Sequence, residues 1–206
     1  VSVIRKVVMF NRISIDGFFA GPNGEIDWFI VDPELDKALH EMGQPDTDLP
    51  GTVLLGRVTY QLFESFWPKV AADPEAPEEA RATAEELNRM TKVVFSKTLK
   101  EVSWQNTRLV KGNVTEEVSR LKQEKGSDIL IFGSGTIVQQ LTSEGLIDEY
   151  LLAVTPVVLG AGKPLFKGVK KLNFKLLETK NFKSGNVLLH YETEKRTPSS
   201  PAKRND

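Results

Sequence analysis

The sequence predicts an α/β protein with a mostly parallel central sheet, helices on both faces and an antiparallel C-terminal hairpin. Three observations carry that expectation. Short runs rich in β-branched and aromatic residues alternate with segments whose apolar residues recur at helical spacing. Strands separated by helices need right-handed crossovers, which set the strands parallel and cover both faces of the sheet. From Asp148 onward only β-rich runs remain, and Ser184-Gly185 joins the last two as a hairpin turn.

Residues 6–15 (KVVMFNRISI) read as the first strand, followed by a turn-rich loop with Asp16-Gly17 and Gly21-Pro22-Asn23-Gly24. Asp32 before Pro33 reads as an N-cap with proline at the first helical position, and Gly43 as the helix stop. Between them Leu35, Ala38, Leu39 and Met42 keep helical spacing. The second strand is TVLL at 52–55, running through Gly56 into a helix over 57–66 in which Val58, Leu62, Phe63 and Phe66 share a face. Residues 71–90 hold six acidic and two basic side chains, a net of -4, and suit a solvated helix over 78–89. KVVF at 92–95 is the third strand and 108–110 the fourth; a helix over 115–124 stops at Gly126. Residues 128–132 (DILIF) form the fifth strand and enter Gly133-Ser134-Gly135 and another helix. Then come EYLLAVTPVVLG, LNFKLLETKNF and NVLLHYETE.

A chain of 206 residues with 40% hydrophobic and 27% charged side chains is an ordinary globular one, expected as a single domain over 1–194 with a disordered tail, 195–206. Its 27 basic and 28 acidic residues argue against a nucleic-acid partner, which requires a basic face. The absence of cysteine removes disulfides, thiolate metal sites and cysteine nucleophiles, and two histidines, His40 and His190, make a histidine metal site implausible. No run approaches a membrane span or a signal peptide, so a soluble, cytoplasmic protein with no membrane partner is expected.

Two strand-to-helix junctions, Leu-Leu-Gly-Arg-Val-Thr-Tyr at 54–60 and Ile-Phe-Gly-Ser-Gly-Thr at 131–136, put glycine where the backbone leaves a strand. The unpaired N–H groups and positive dipole end of the following helix suit a phosphate. Arg57, Thr59, Ser134 and Thr136 add donors beside Gly56, Gly133 and Gly135. Each junction alone is open between an ordinary tight turn and a phosphate site; two in one sheet favour the latter, because strand C-termini share an edge. The dinucleotide fingerprint itself is not met, since Val138 stands at the third glycine position. Ser96-Lys97-Thr98 follows a strand at the same edge, where a hydroxyl and an ammonium suit a 2′-phosphate. In the loop over 14–21, Asp16 either turns the chain or accepts hydrogen bonds from a substrate's N–H edge, and Trp28 either packs in the core or covers a planar ligand.

The motifs SIDGFFAGPNGEIDW, LLGRVTYQLF, KVVFSKTL, ILIFGSGTIVQQL and LIDEYLLAVTPVVLGAGKPLF, in this order, resemble the dihydrofolate reductase-like superfamily. The nearest branch is similar to the reductase domain of the bifunctional riboflavin-biosynthesis deaminase–reductase, over residues 5–193. The resemblance implies a three-layer sandwich and an NADPH-dependent reductase passing hydride to a small planar heterocycle, pterin-like or 5-amino-6-(ribosylamino)uracil-like. By position it implies Gly56, Arg57 and Thr59 near the cofactor phosphates, Ser96 and Lys97 at the 2′-phosphate, and Gly133, Ser134, Gly135 and Thr136 around the pyrophosphate. Asp16 and Trp28 would lie on the substrate side, with Asp16 the candidate catalytic acid, although Asp27 and Asp32 stay open for that role. The sequence departs from the riboflavin reductases at Phe132, where they usually carry glutamate, and GRVTY is nearer the dihydrofolate reductase pattern. The zinc signature of a deaminase is absent. A homodimer is expected, since the strand over 186–193 is apolar on both faces and relatives are commonly dimeric. Two other functions compete with the reductase: a non-catalytic nucleotide-binding or sensor module on the same fold, and a structural dimer subunit with a relict cleft.

Overall fold

The structure, a computed structural model, describes residues 4–42 and 51–194, without the side chain of His40. The expected helix stop at Gly43 and the expected disorder of 195–206 lie outside the described residues. In chain order the elements are β1 (Val7–Ser14), β2 (Phe18–Ala20), α1 (Pro33–Met42), β3 (Thr52–Gly56), α2 (Arg57–Ala72), α3 (Glu78–Arg89), β4 (Thr91–Phe95) and β5 (Thr107–Val110). They continue with α4 (Val114–Gln123), β6 (Ile129–Phe132), α5 (Gly135–Ser143), β7 (Glu149–Thr155), β8 (Lys163–Pro164), β9 (Phe174–Asn181) and β10 (Val187–Thr193).

Eight strands make one sheet in the order β5-β4-β3-β6-β1-β7-β10-β9. The six from β5 to β7 are parallel, and β10 and β9 add antiparallel. The expected α/β class with its terminal hairpin is therefore observed. Gly185, at φ +87°, makes the hairpin turn where the sequence placed it. Asp32 caps α1 as expected, its Oδ1 accepting from Leu35 N at 3.1 Å.

Helices α4 and α5 cover one face of the sheet. Val118 and Leu121 of α4 and Ile137, Val138 and Leu141 of α5 pack there with Val7, Met9, Ile129 and Ile131. The other face carries α2 and α3 over β3 and β4, through Tyr60 and Leu87 against Val53, Leu55 and Val94. On that same face α1 covers β7 and β10, through Leu35 against Leu151, Ala153 and Leu188.

Three expectations need correction. Helix α2 runs on through Pro68 to Ala72 instead of stopping at 66. Trp67, packed against the core beyond the expected end, gives those extra residues tertiary contacts that local sequence does not reveal. Its buried face is Tyr60, Phe63 and Trp67, while Val58, Leu62 and Phe66 are 69%, 50% and 53% exposed. Finally, part of the loop over 14–21 is strand: β2 pairs with β8, more than 140 residues along the chain. Pairing so remote and so short leaves no period-2 pattern to read. Among the described residues no helix is long and apolar enough to cross a membrane.

Candidate functional site

Parallel strands bring β3, β4, β6, β1 and β7 to end along one edge, and the two glycine junctions meet there. A Cβ on Gly56 would run into Ser134 Oγ, and one on Gly133 would approach Thr59 Oγ1 at 3.4 Å. Gly133 and Ser134 are both left-handed, at φ +66° and +62°. Glycine takes that conformation freely, whereas serine does so at a cost that tends to mark function. Ser134 Oγ and Thr136 Oγ1 lie 3.4 Å apart. Phe95 pairs with Gly56, so Ser96 and Lys97 emerge beside Arg57. Gly56, Arg57, Thr59, Ser96, Lys97, Gly133, Ser134, Gly135 and Thr136 thus belong to one edge of the sheet.

Two of the helices that follow strands ending at this edge, α2 and α5, differ from the others. α1, α3 and α4 each carry two acidic residues in the first turn, which neutralise the positive end of the helix. α2 and α5 carry none, and neither N-cap, Gly56 or Ser134, makes a side-chain cap hydrogen bond. Two helix ends are therefore left with free N–H donors side by side, a combination that suits a diphosphate. Of the other donors, Arg57 is exposed and reaches Gln61 Oε1 at 3.3 Å, and Lys97 is exposed. Ser96 Oγ accepts from the backbone N–H of Leu99 at 2.9 Å and of Thr98 at 3.2 Å, which shapes the turn that presents Lys97.

A cleft opens next to this edge, on the face covered by α1, α2 and α3. On strands β1 and β6, at the middle of the sheet, Val7, Met9, Ile129 and Ile131 are fully buried under α4 and α5. The residues between them on the opposite face, Val8, Phe10, Leu130 and Phe132, are only half-buried. α1 lies to one side of them and α2–α3 to the other. Phe10 and Phe132 meet edge to face at 6.2 Å, and Phe63 of α2 lies 6.3 Å from Phe132. A half-exposed aromatic floor at the centre of a sheet is where a planar ligand buries most surface. Farther along β1, Arg12 donates to Asp36 Oδ1 at 2.5 Å and lies 5.7 Å from the centre of the Phe29 ring. A larger cavity, about 620 Å³, sits on the α4–α5 face near β9 and β10, lined by Tyr150, Phe166, Phe174 and Tyr191, and is separate from this cleft.

Phe10, Phe63 and Phe132 are the site residues that sequence reading missed. Their signal was present in part: Val8, Phe10 and Arg12 alternate along one face of β1, but which face stays uncovered depends on how far apart α1 and α2 settle.

Asp16 and Trp28 are held by partners outside the two glycine junctions. Asp16 Oδ2 accepts from Gly160 N at 2.8 Å; its Oδ1 accepts from Leu159 N at 3.1 Å and from the Ser14 hydroxyl at 2.7 Å. The Ser14 hydroxyl first, then these backbone donors, hold its carboxyl below the ordinary 3.8. A proton donor gains from the opposite shift; in this structure the Asp16 carboxylate pins the 159–160 loop to the end of β1. Replacing Asp16 by asparagine should leave the pH profile of turnover unchanged and speed amide exchange at Leu159 and Gly160 on the order of tenfold. Loss of an acid limb from that profile would restore its catalytic role. Trp28 donates from Nε1 to Glu25 O at 3.2 Å and packs edge-on against Phe29, so it belongs to the 21–30 loop.

Asp32, the other candidate acid with defined partners, is 5% exposed and also fully engaged. Besides capping α1, it accepts from Ser184 Oγ and from Asn186 Nδ2 at 3.4 Å, tying the helix to the hairpin turn. Next to it Thr155 Oγ1 and Asn186 Oδ1 are buried with no partner among the described residues. Unpaired buried polar atoms such as these are rare in stable folds and gather near functional sites.

Residues 5–188 match the family model of the RibD C-terminal domain. The chain belongs to that family. It is 35% identical over 189 residues to the uncharacterized protein YyaP of Bacillus subtilis (strain 168), covering 91% of this chain and 94% of that one. Among solved structures, a candidate riboflavin biosynthesis protein from Shewanella sp. PV-4 superposes with a TM-score of 0.66 at 25% identity, over 92% of this chain and 99% of that one. The diaminohydroxyphosphoribosylaminopyrimidine deaminase/5-amino-6-(5-phosphoribosylamino)uracil reductase of Thermotoga maritima gives 0.62 at 17% identity, over 92% of this chain and 56% of that one. A dihydrofolate reductase from Enterococcus faecalis, complexed with NADP(H), gives 0.59 at 14% identity, over 92% and 97%. The fold is the dihydrofolate reductase-like sandwich that the motifs resembled.

Proposed function

We propose that the protein is an NADPH-dependent reductase that delivers hydride to a small planar heterocycle lying on the Phe10–Phe132 floor. Membership of the RibD C-terminal domain family supports a reductase-type function. The observation that carries the finer reading is the pair of acid-free, uncapped helix starts, α2 and α5, packed against each other beside that floor. The donor set fits a dinucleotide: Gly56, Thr59, Gly133, Ser134, Gly135 and Thr136 for the diphosphate, Ser96, Lys97 and Arg57 for a 2′-phosphate. Bound there, NADPH supplies the hydride. The chain's own contribution is to fix the phosphates, to offer the ring an apolar floor in line with them and to keep water off that surface.

Lys97 gives the discriminating test. Lys97→Ala should weaken NADPH on the order of tenfold or more, the loss of a charge-assisted contact, and leave NADH nearly unchanged. Equal losses for both cofactors would put the lysine elsewhere. A non-catalytic nucleotide-binding module is the second reading, favoured by the charged, fully hydrogen-bonded state of Asp16 and Asp32. NADPH binding without oxidation across a panel of pterins and aminouracils would select it.

The homodimer remains our proposal. Exposed Leu176 and Leu177 on the edge strand β9, and the Val58–Leu62–Phe66 stripe on α2, are apolar surface that a second copy would cover. Sedimentation should give about twice the chain mass of 23.0 kDa; the single-chain mass at micromolar concentration would refute it.

A further inference from the structure

The alternation of a strand puts Arg12 on the same face as Phe10, about 7 Å further along β1. β6 pairs with β1 only as far as Phe132 opposite Phe10, whereas β7 continues beside it, with Ala153 opposite Arg12. The side chain therefore rises where the aromatic floor gives way to the edge of the sheet. It has an ended strand on one flank and a small residue on the other. Arg12 is paired, and the pairing holds its guanidinium in place. Nη2 donates to Asp36 Oδ1 at 2.5 Å, Nη1 reaches Ile30 O at 3.5 Å, and Cζ lies 5.7 Å from the centre of the Phe29 ring. Asp36 sits on α1 one turn before Leu39, which walls the cleft. The Asp36 side chain is 56% exposed and that of Arg12 only 13%, so the carboxylate stands at the rim and the guanidinium beneath it.

We infer that Arg12 is a specificity-determining residue of the cleft, donating to an oxo group on the edge of the heterocycle that faces α1. The inference rests on the reductase reading and deepens it by assigning the residue that selects the ligand. A guanidinium carries five N–H donors in one plane and no acceptor. The two bonds to Asp36 and Ile30 use two of them, and Nε–H has no hydrogen-bond partner among the described residues. An oxo group meets such a donor set directly. An amino group at the same place sets donor against donor and leaves both sides without a partner in a half-buried cleft. Because Asp36, Ile30 and Phe29 hold the guanidinium from three directions, it cannot readily turn aside to relieve that mismatch. The pair with Asp36 is neutral as a whole, which suits an uncharged ring. Asp16, Asp32 and Trp28 have their own protein partners.

The test uses the whole chain saturated with NADP⁺ and two matched pairs of ligands: a pterin with its 2,4-diaminopteridine counterpart, and an aminouracil with the corresponding aminocytosine. Titration calorimetry should show the oxo member of at least one pair binding about tenfold or more tightly, the worth of a hydrogen bond to a charged group. Arg12→Gln, whose amide offers an acceptor as well as donors, should bring that ratio close to one. Arg12→Met should do the same by weakening the oxo ligand alone. The Tm of each variant is read alongside, because an arginine that only ties β1 to α1 and the 21–30 loop lowers Tm and leaves the ratio as in wild type. A preference that survives both substitutions therefore overturns the inference. Amino ligands that bind wild type as tightly as their oxo counterparts in both pairs overturn it without any variant and leave the reductase reading standing. Failure of all four ligands to bind the NADP⁺-loaded protein overturns it too. Failure of NADP⁺ and NADPH themselves to bind overturns the reading beneath it.

Discussion

Gly135→Val is expected to abolish NADPH binding and to destabilise the protein. Gly135 is the first residue of α5, and a Cβ there would overlap the Phe19 ring, its Cζ lying at 2.6 Å. Phe19 cannot easily withdraw, because it packs against the core under α4 and α5. Overpacking of this kind costs about 1–3 kcal/mol, and for a chain of this size each kcal/mol lowers Tm by roughly 2–4 °C. The larger expected effect is on binding, because moving the start of α5 would misdirect the N–H groups proposed to hold the diphosphate. The milder Gly135→Ala should lose less, and adding Phe19→Leu should restore both Tm and NADPH affinity. A valine variant with wild-type Tm and affinity would show that the close approach of loop and helix is not needed.

Asp32→Ala should be the most destabilising change among the carboxylates, by about 2–4 kcal/mol, the sum of a lost helix cap and a lost charge-assisted hydrogen bond in a buried setting. Burial raises the Asp32 pKa, but Ser184, Leu35 N, Asn186 and Glu34 N together outweigh it and hold the group below its ordinary 3.8. The unfolded chain therefore takes up the proton first as pH falls. The stabilisation is present in full above the unfolded value, near pH 4, and is lost as pH drops through the lower folded value. Urea unfolding of wild type and variant should accordingly differ most at pH 6–7 and draw together as pH falls through the lowered folded-state value. A difference that stays constant with pH would mean the loss comes from packing alone.

Asp32 also shows what the sequence could and could not tell. An aspartate before a proline at a helix start is a local signal, and the cap was legible from it; the second use of the same carboxylate, on a hairpin turn 152 residues away, was not. The meeting of the two glycine junctions was legible for a similar reason. Strand, glycine and helix follow one another in sequence at 54–60 and 131–136, and parallel strands must bring such junctions to one edge. The partners of Asp16 were not. Asp16 stood beside a glycine turn in an aromatic loop and looked poised for a ligand, but its partners, Leu159 and Gly160, come from the far end of the chain. Phe132, notable in the sequence only for replacing a glutamate, proves to be half of the aromatic floor. The gap over β1 and β6 depends on where three helices come to rest, and no local pattern encodes that.

The central claim is that the α2–α5 edge holds NADPH, and thermal unfolding of the whole chain with and without cofactor tests it most directly. A site with a dissociation constant a hundredfold below the added ligand stabilises by about 2.7 kcal/mol, so Tm should rise by roughly 5–10 °C with NADPH. NADH should give a clearly smaller rise, and the NADPH shift should shrink in Lys97→Ala. An unchanged Tm at millimolar NADPH would contradict the account.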